Sequence, residues 1–346
     1  MPPYNVGIIG YGGFGRFLHQ AWSKLPEVRI IAASKRRPTP ENMPGLRIYS
    51  DWHDLIADPE VQIVAIATPP HLHAQMACAA MKAGKHVLIE KPLAISTIEA
   101  EQVLEVQKRT GMVATVNHLL RFNPIIEAIE SLTNDGVLGQ LRRANVENYA
   151  GDEGLEDSHW FWNKTLSGGI LVEHAVHFID LINHLTTQSP KHIESAGHQR
   201  YNGLEDQVML SIIYNDGLMA THYHHFARPP YFESTSIRLE YDLAQIDLHG
   251  WVPLSGAIIA LVNGNSCKAL NRLPNLQVSQ KNPIAQRGEL ITGSFGIDKG
   301  KDEVYQDCTR HLLLDLVKQI KNPGHRPRVS LNDGLRSLQM AKGIMP

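Results

Sequence analysis

Val6-Gly-Ile-Ile-Gly10-Tyr-Gly12-Gly-Phe-Gly15 is the stretch on which the fold turns. Val6–Ile9 is a short apolar run that ends in glycine, and helical spacing follows from Phe14 to Leu25. Gly10, Gly12 and Gly15 fit G-x-G-x-x-G, with a strand before and a helix after, which is the context that motif needs. Gly10 permits a tight turn. Gly12 lets the backbone approach a pyrophosphate, and Gly15 lets the helix pack close on the strand while its first N–H groups face the phosphate. A glycine-rich turn serving packing alone is the competing reading. The flanking elements favour a dinucleotide held by Gly10, Gly12, Gly13, Phe14 and Gly15.

Outward from this loop, short apolar runs alternate with helical segments. Val28–Ala33, Ile63–Ala67, His86–Glu90 and Val113–Val116 read as strands. Asp51–Ala57, His73–Ala83 and Ser96–Lys108 read as helices, with Gly84 and Gly111 as stops and Ser96/Glu99 as a capping box. The alternation predicts βαβ units and a parallel sheet. After Arg121 the pattern changes. Leu141–Tyr149, Gln207–Tyr214, Leu218–Phe226, Ser236–Tyr241 and Ala244–His249 read as strands, with Asn215-Asp216-Gly217 a hairpin turn. Gly169–Leu185, Tyr305–Ile320 and Leu331–Ile344 read as helices, and the polar stretch 275–300 as a loop. The expected fold class is α/β: a Rossmann domain over residues 1–121, then an α+β domain over residues 122–346 with a large, mostly antiparallel open sheet.

The chain has 346 residues, 43% hydrophobic and 20% charged, enough apolar material for two cores. Its net charge of −2 gives no electrostatic reason to hold nucleic acid or an anionic membrane. Cys78, Cys267 and Cys308 are far apart and form no C-x-x-C pair, which argues against a zinc clip and fits a reducing compartment. With no leader-like start and no run of the ~18–20 apolar residues needed to span a bilayer, a cytoplasmic location is expected. The 18 histidines raise the question of a metal. Neither the Glu173/His174/His177 group nor His222-Tyr-His224-His225 has H-E-x-x-H spacing, so no metal is expected.

An NAD-preferring site usually places an acid at the end of the second strand, about 20 residues past the glycines, to bind the ribose 2′-hydroxyl. Here that place reads Ser34-Lys35-Arg36-Arg37. Three cations suit a 2′-phosphate, so NADP is favoured over NAD, although a solvated basic loop has the same composition.

The more specific signal is Ala67-Thr-Pro-Pro-His-Leu-His73 followed by Ala83-Gly-Lys-His-Val-Leu-Ile-Glu-Lys-Pro92. Together with Arg121-Phe-Asn-Pro124 and Gly168-Gly169-x-x-x-Glu173-x-x-x-His177, it resembles the glucose–fructose oxidoreductase/inositol dehydrogenase (Gfo/Idh/MocA) family along nearly the whole chain. The resemblance implies that Thr68, Pro69 and His73 line the ribose and nicotinamide pocket, with Glu90 and Lys91 beside the nicotinamide. It implies Lys91 on the reacting hydroxyl, a cis peptide before Pro92, and His177 as base for oxidation or acid for reduction. It implies a sugar or polyol substrate and a homodimer or homotetramer. Members usually carry aspartate where this chain has Glu173.

That chemistry also stands on elementary grounds. An alcohol that loses a hydride must also lose a proton, and histidine titrates in the right range. A lysine ammonium stabilises the developing alkoxide. Glu173 and His177, at i and i+4, share a helix face, so the carboxylate can orient the imidazole or meet substrate itself. His174, Asp180 and His184 on the same helix are read as structural. Trp160 and Trp162, beside His159, are expected to stack on a sugar or to plug the core edge, with Tyr223 and His225 as candidates to join them. His118 and Arg121 complete the expected substrate contacts, and Arg121 or Arg228 could hold an anionic group. Two alternatives remain at this point: redox-assisted glycoside cleavage with tightly bound NAD, and a non-catalytic NADP-binding sensor.

Overall fold

A computed structural model of the chain describes residues 2–36, 45–152, 155–186, 188–200 and 203–346. Its strands are β1 (Tyr4–Ile9), β2 (Val28–Ser34), β3 (Arg47–Tyr49), β4 (Ile63–Ile66), β5 (His86–Ile89), β6 (Ala114–Val116), β7 (Leu141–Ala150), β8 (Pro190–Gln199), β9 (Glu205–Tyr214), β10 (Met219–Phe226), β11 (Ser234–Tyr241), β12 (Ala244–His249), β13 (Ser255–Val262), β14 (Gln277–Ile284) and β15 (Gly288–Gly296). Its α-helices are α1 (Gly13–Trp22), α2 (Trp52–Ala57), α3 (His73–Lys82), α4 (Thr97–Thr110), α5 (Pro124–Asn134), α6 (Lys164–Ser167), α7 (Val176–Leu185), α8 (Gly264–Ala269), α9 (Lys301–Lys321) and α10 (Leu331–Ala341).

Contacts divide the chain into two units. The first holds Met1–Leu119, Asn163–Glu173 and Gln306–Leu338; the second holds Leu120–Trp162, His174–Tyr305 and Gln339–Pro346. The expected single cut after residue 121 therefore becomes several. Packing is the reason. Trp22 Nε1 donates to the Thr309 carbonyl at 3.1 Å, and Thr115 Oγ1 to that of Val329 at 2.9 Å. Gly334 lies so close to Val116 that a Cβ there would meet its side chain at 2.8 Å.

The first unit is built on a parallel sheet of order β3-β2-β1-β4-β5-β6. Residues Ile63–Ile66 and Val87–Ile89 are fully buried, as expected of strands covered on both faces. Ser96 Oγ accepts from the Glu99 N–H at the start of α4, and Gly111 closes that helix with φ 69°, so both boundary signals act as expected.

The second unit carries a nine-stranded sheet of order β14-β15-β13-β12-β11-β7-β10-β9-β8, antiparallel except for β7–β10. In β10, Ala220, His222, His224 and Phe226 are buried, while Thr221, Tyr223 and His225 face the other way at intermediate exposure. Helix α7 packs on the buried side.

Two expectations need correction. Residues 275–300 are not a loop: β14 and β15 form an antiparallel pair there. Every residue of β14 is exposed, so this edge strand has no buried face to impose an apolar alternation on its sequence. Also, the stretch Lys164–Leu185 is long and apolar enough to cross a membrane by length and composition, at mean hydropathy 1.2. Of its 18-residue window, 67% is buried inside the fold, the property of a core helix.

Candidate active site

The glycine loop fits a bound pyrophosphate for reasons visible in its geometry. Gly10 has φ 90°, and a Cβ there would meet the Ala67 carbonyl oxygen at 2.4 Å. A Cβ at Gly15 would meet the Gly10 carbonyl oxygen at 2.4 Å. These two glycines are required by packing. A Cβ at Gly12 or Gly13 would meet nothing within 4 Å, so the space above them is open. Gly10 and Tyr11 donate their N–H groups to the Ser34 carbonyl at 3.2 and 3.0 Å, tying the loop to the end of β2. Helix α1 starts at Gly12 without a side-chain cap, leaving its N-terminal end to a ligand.

A cleft of about 400 Å³ opens over this loop. Of the expected cofactor contacts, Gly10, Gly12, Ser34, Lys35, Arg36, Thr68 and Pro69 line it, whereas Gly13, Phe14, Gly15, Glu90 and Lys91 do not. Ser50, Trp52, Leu72 and Met76, which sequence reasoning missed, line it as well. The described part of the turn after β2 offers Ser34, Lys35 and Arg36 and no carboxylate; Arg37 lies outside the described residues.

The residues of the second motif separate into distinct jobs. His73 does not line the cleft. It is 1% exposed, with Nδ1 2.7 Å from the Pro92 carbonyl oxygen and Nε2 2.8 Å from that of Thr68. Burial pushes its pKa down more strongly than those two carbonyls raise it. This imidazole is a strut joining the two motif loops.

Glu90 follows β5 and is also buried; that burial raises its pKa to about 7, against the hydrogen bond donated by Asn117 Nδ2. The Lys91–Pro92 peptide is cis. Lys91 Nζ donates to Glu173 twice, to the main-chain carbonyl at 2.6 Å and to Oε1 at 2.7 Å. The two side chains keep 14% and 15% of their surface exposed. The carboxylate expected to orient His177 is therefore engaged by the lysine.

Local backbone presents Glu173 in this way. Gly168 and Gly169 both have positive φ, 83° and 87°, and the Glu173 N–H donates to the Gly169 carbonyl at 2.8 Å. Leu171–Ala175 is then a π-helical turn, not the α-helix that the spacing predicts. Such turns are rare and concentrate at functional sites.

In the second unit, His177 is 6% exposed, its ring 5.8 Å from that of Trp251. His118, at the end of the first unit's leading segment, is 1% exposed. Arg121, expected to meet substrate, instead grips Asp180 in two charge-assisted bonds, Nε to Oδ2 at 2.8 Å and Nη2 to Oδ1 at 2.6 Å. The two residues are 5% and 1% exposed, so the pair is structural. Trp162 is likewise built in: Nε1 donates to the Leu155 carbonyl at 3.0 Å and the Arg200 guanidinium lies 4.5 Å from the ring centre. Trp160 keeps intermediate exposure. Phe161 between them packs on Phe226 at 4.9 Å. Tyr223 and His225 point to the opposite face of β10, so they do not join this aromatic turn.

His222 and His224 are fully buried with no hydrogen-bond partner on either ring nitrogen. Desolvation lowers the pKa of His222 to about 3 and that of His224 well below its usual value. Among the described residues no group of three potential ligands is arranged to hold a metal ion.

Comparison with known proteins agrees with this architecture. Residues 4–118 match the GFO_IDH_MocA oxidoreductase family with its NAD-binding Rossmann fold, and residues 126–241 match the GFO/IDH/MocA C-terminal domain. Levoglucosan dehydrogenase of Pseudarthrobacter phenanthrenivorans is 31% identical over 202 residues, 54% of this chain and 52% of that protein. The NADP(+)-dependent scyllo-inositol 2-dehydrogenase of Bacillus subtilis is 27% identical over 184 residues, 52% and 51% of the two chains. The chain thus spans about half the length of these relatives. The structure of a levoglucosan dehydrogenase in complex with NADH and levoglucosan superposes with TM-score 0.80 at 20% identity, covering 99% of this chain and 96% of that one. With residues 4–118 and 126–241 matched in succession, together more than half of the chain, this protein belongs to the GFO/IDH/MocA oxidoreductase family.

Proposed function

We propose that the protein catalyses hydride transfer between a nicotinamide dinucleotide and a secondary hydroxyl or carbonyl of a sugar, polyol or sugar derivative. The observation that carries this reading is the pairing, in one unit, of an open glycine cradle with an ammonium group held at the carboxyl end of the same parallel sheet. Ligands of open α/β sheets bind at that end. When bound, the cofactor supplies or accepts the hydride. The residues supply everything else. Lys91 donates to the substrate oxygen and stabilises its negative charge as it develops. Glu173 holds Lys91 in place through two acceptors. His177, four residues further along the same helical stretch, takes the proton on oxidation and returns it on reduction.

NADP is the favoured cofactor. Lys35 and Arg36 line the cleft where an acid would be needed for an unphosphorylated ribose. Relatives with both habits exist, one named for NADP(+) and one seen with NADH. The sugar or polyol substrate is supported by the levoglucosan and scyllo-inositol dehydrogenases among the relatives.

The test has two steps. Thermal melting with NADPH and with NADH establishes cofactor binding, and nicotinamide absorbance is then followed with a panel of inositols, anhydrosugars and aldoses. Stabilisation by NADPH above NADH, with turnover of at least one polyol that Lys91→Met lowers by roughly 10²–10³-fold, is expected. Absence of stabilisation by either cofactor refutes the proposal.

A further inference from the structure

Beyond the glycine loop, the cleft has a second wall that no motif announces. The β2–β3 pairing sets Ser34 opposite Tyr49, and the Lys35 N–H donates to the Tyr49 carbonyl at 3.0 Å. Lys35 and Ser50 therefore leave the sheet side by side, and both line the cleft. Trp52 follows at the start of α2, also lining the cleft.

Its indole is braced from behind. The Asp51 carboxylate accepts from the His53 N–H at 2.9 Å and lies 2.7 Å from His53 Nδ1. The His53 ring so held stacks on the Trp52 ring, with centroids 3.7 Å apart and planes inclined by 28°. One indole face is thus covered while the side chain, at intermediate exposure, still borders the cleft. Trp52 lines the cleft and His53 does not, so an indole with one face covered by a ring outside the cleft offers an aromatic surface for a second flat ring.

The end of the second strand is the adenosine side of a Rossmann cleft, because its last residues meet the ribose 2′-position. We propose that Trp52 is the platform on which the adenine base of the cofactor stacks, with Ser50 and Lys35 beside the ribose 2′-substituent. Arg36, exposed at the same rim, adds a guanidinium to that end. This assignment rests on the reading that the cleft holds a dinucleotide. It adds the residue that recognises the base, a job separate from the glycine loop's hold on the pyrophosphate.

Fragments of the cofactor separate these jobs by calorimetric titration. The probes are adenosine 5′-monophosphate, adenosine 2′,5′-bisphosphate and nicotinamide mononucleotide. Trp52→Ala is expected to weaken both adenosine probes by about 5- to 150-fold, the usual worth of base–aromatic stacking, and to leave the mononucleotide unchanged. Trp52→Phe keeps a ring and is expected to retain most of the affinity. Lys35→Ala is expected to weaken only the bisphosphate. Tryptophan emission gives an independent readout: adenosine 5′-monophosphate quenches it in the native protein and fails to do so in Trp52→Phe. Unchanged affinity of Trp52→Ala for the adenosine probes overturns the assignment. Where that variant does not fold, equal quenching in the native protein and Trp52→Phe overturns it. If the native protein binds neither the probes nor NADPH, the dinucleotide reading itself fails.

Discussion

The glycine loop makes a pair of opposed expectations that one experiment can separate. Gly10→Ala puts a methyl 2.4 Å from the Ala67 carbonyl oxygen, and at φ 90°. An L-residue in left-handed backbone costs roughly 1–2 kcal/mol. Forcing an overlap on packed atoms costs about 1–3 kcal/mol more. The sum, roughly 2–5 kcal/mol, falls on the fold itself. At ~2–4 °C per kcal/mol for a domain of this size, the apo protein should melt roughly 4–20 °C lower. Gly12→Ala is the converse. Gly12 has φ −90° and ψ −152°, extended backbone open to any residue, and the added methyl meets nothing within 4 Å. Its melting temperature should stay within a degree or two of native. The methyl does occupy the space a pyrophosphate would use, and losing one charge-assisted hydrogen bond there, about 1.5–3 kcal/mol, weakens NADPH by about 10- to 150-fold. Melting curves without ligand and calorimetric titration with NADPH read the two effects apart. A Gly12→Ala protein that binds NADPH like the native one would refute the cradle, and the dinucleotide with it.

Four further expectations follow from other parts of the molecule. His222 and His224 are buried and unpartnered, with folded-state pKa values lowered from 6.5, so below pH 6.5 the unfolded chain binds protons that the folded one does not. Stability is therefore intact above pH 6.5 and falls by about 1.4 kcal/mol per unit per histidine on acidification, down to about pH 3 for His222. Urea unfolding at pH 6.5 and 5.0 should show about 3 kcal/mol of loss from the pair, because each unfolded-state imidazole is already half protonated at pH 6.5, and His222→Leu/His224→Leu should remove that increment; equal slopes in both proteins would exclude it. Lys91→Met should lower kcat by roughly 10²–10³ with NADPH affinity intact, as for loss of an oxyanion donor, whereas a change confined to KM would show that Lys91 only binds substrate. Glu173→Gln, which leaves the carbonyl acceptor in place, should cost less than Lys91→Met. Arg121→Met strands the buried Asp180 and should destabilise by about 3–5 kcal/mol, with Asp180→Asn in the same chain restoring part of it. A folded Arg121→Met protein with native stability and raised KM would return Arg121 to the substrate site.

What the sequence made legible has a physical pattern. Much of the parallel sheet and its helices could be read because the signals there are local: Ser96 caps α4, Gly111 ends it, and Gly10 and Gly15 are dictated by backbone clearance, although the short edge strand β3 escaped. The hairpin at Asn215–Gly217 was legible for the same reason, since the turn chemistry lies within three residues. Strands without a buried face left no such trace. Strand β14 is exposed at every position, and β8 at all but Pro190 and the half-buried Ile193, so neither shows the alternation by which strands are found. The return of Gln306–Leu338 to the first unit depends on contacts such as Trp22 with Thr309, which are close in space and remote in sequence.

The site follows the same division. The residue types at Lys91, Glu173 and His177 advertise chemistry, but their partners do not. The i, i+4 spacing paired Glu173 with His177 on an α-helix, whereas a π-turn at Leu171–Ala175 and two left-handed glycines deliver the carboxylate to Lys91. Arg121 was expected among the substrate contacts, and its burial against Asp180 reassigns it, whereas Trp162, read either as a sugar platform or as a plug of the core edge, is buried with its indole N–H on Leu155, as the second reading has it. Trp52 was silent because it sits at an ordinary helix start, and only the Asp51–His53 brace behind it turns a generic aromatic into a surface with one face to spare. Chemistry could be read from residue identity. Which group holds which is set by backbone geometry at a few special positions, and those are where the reading of this molecule changed.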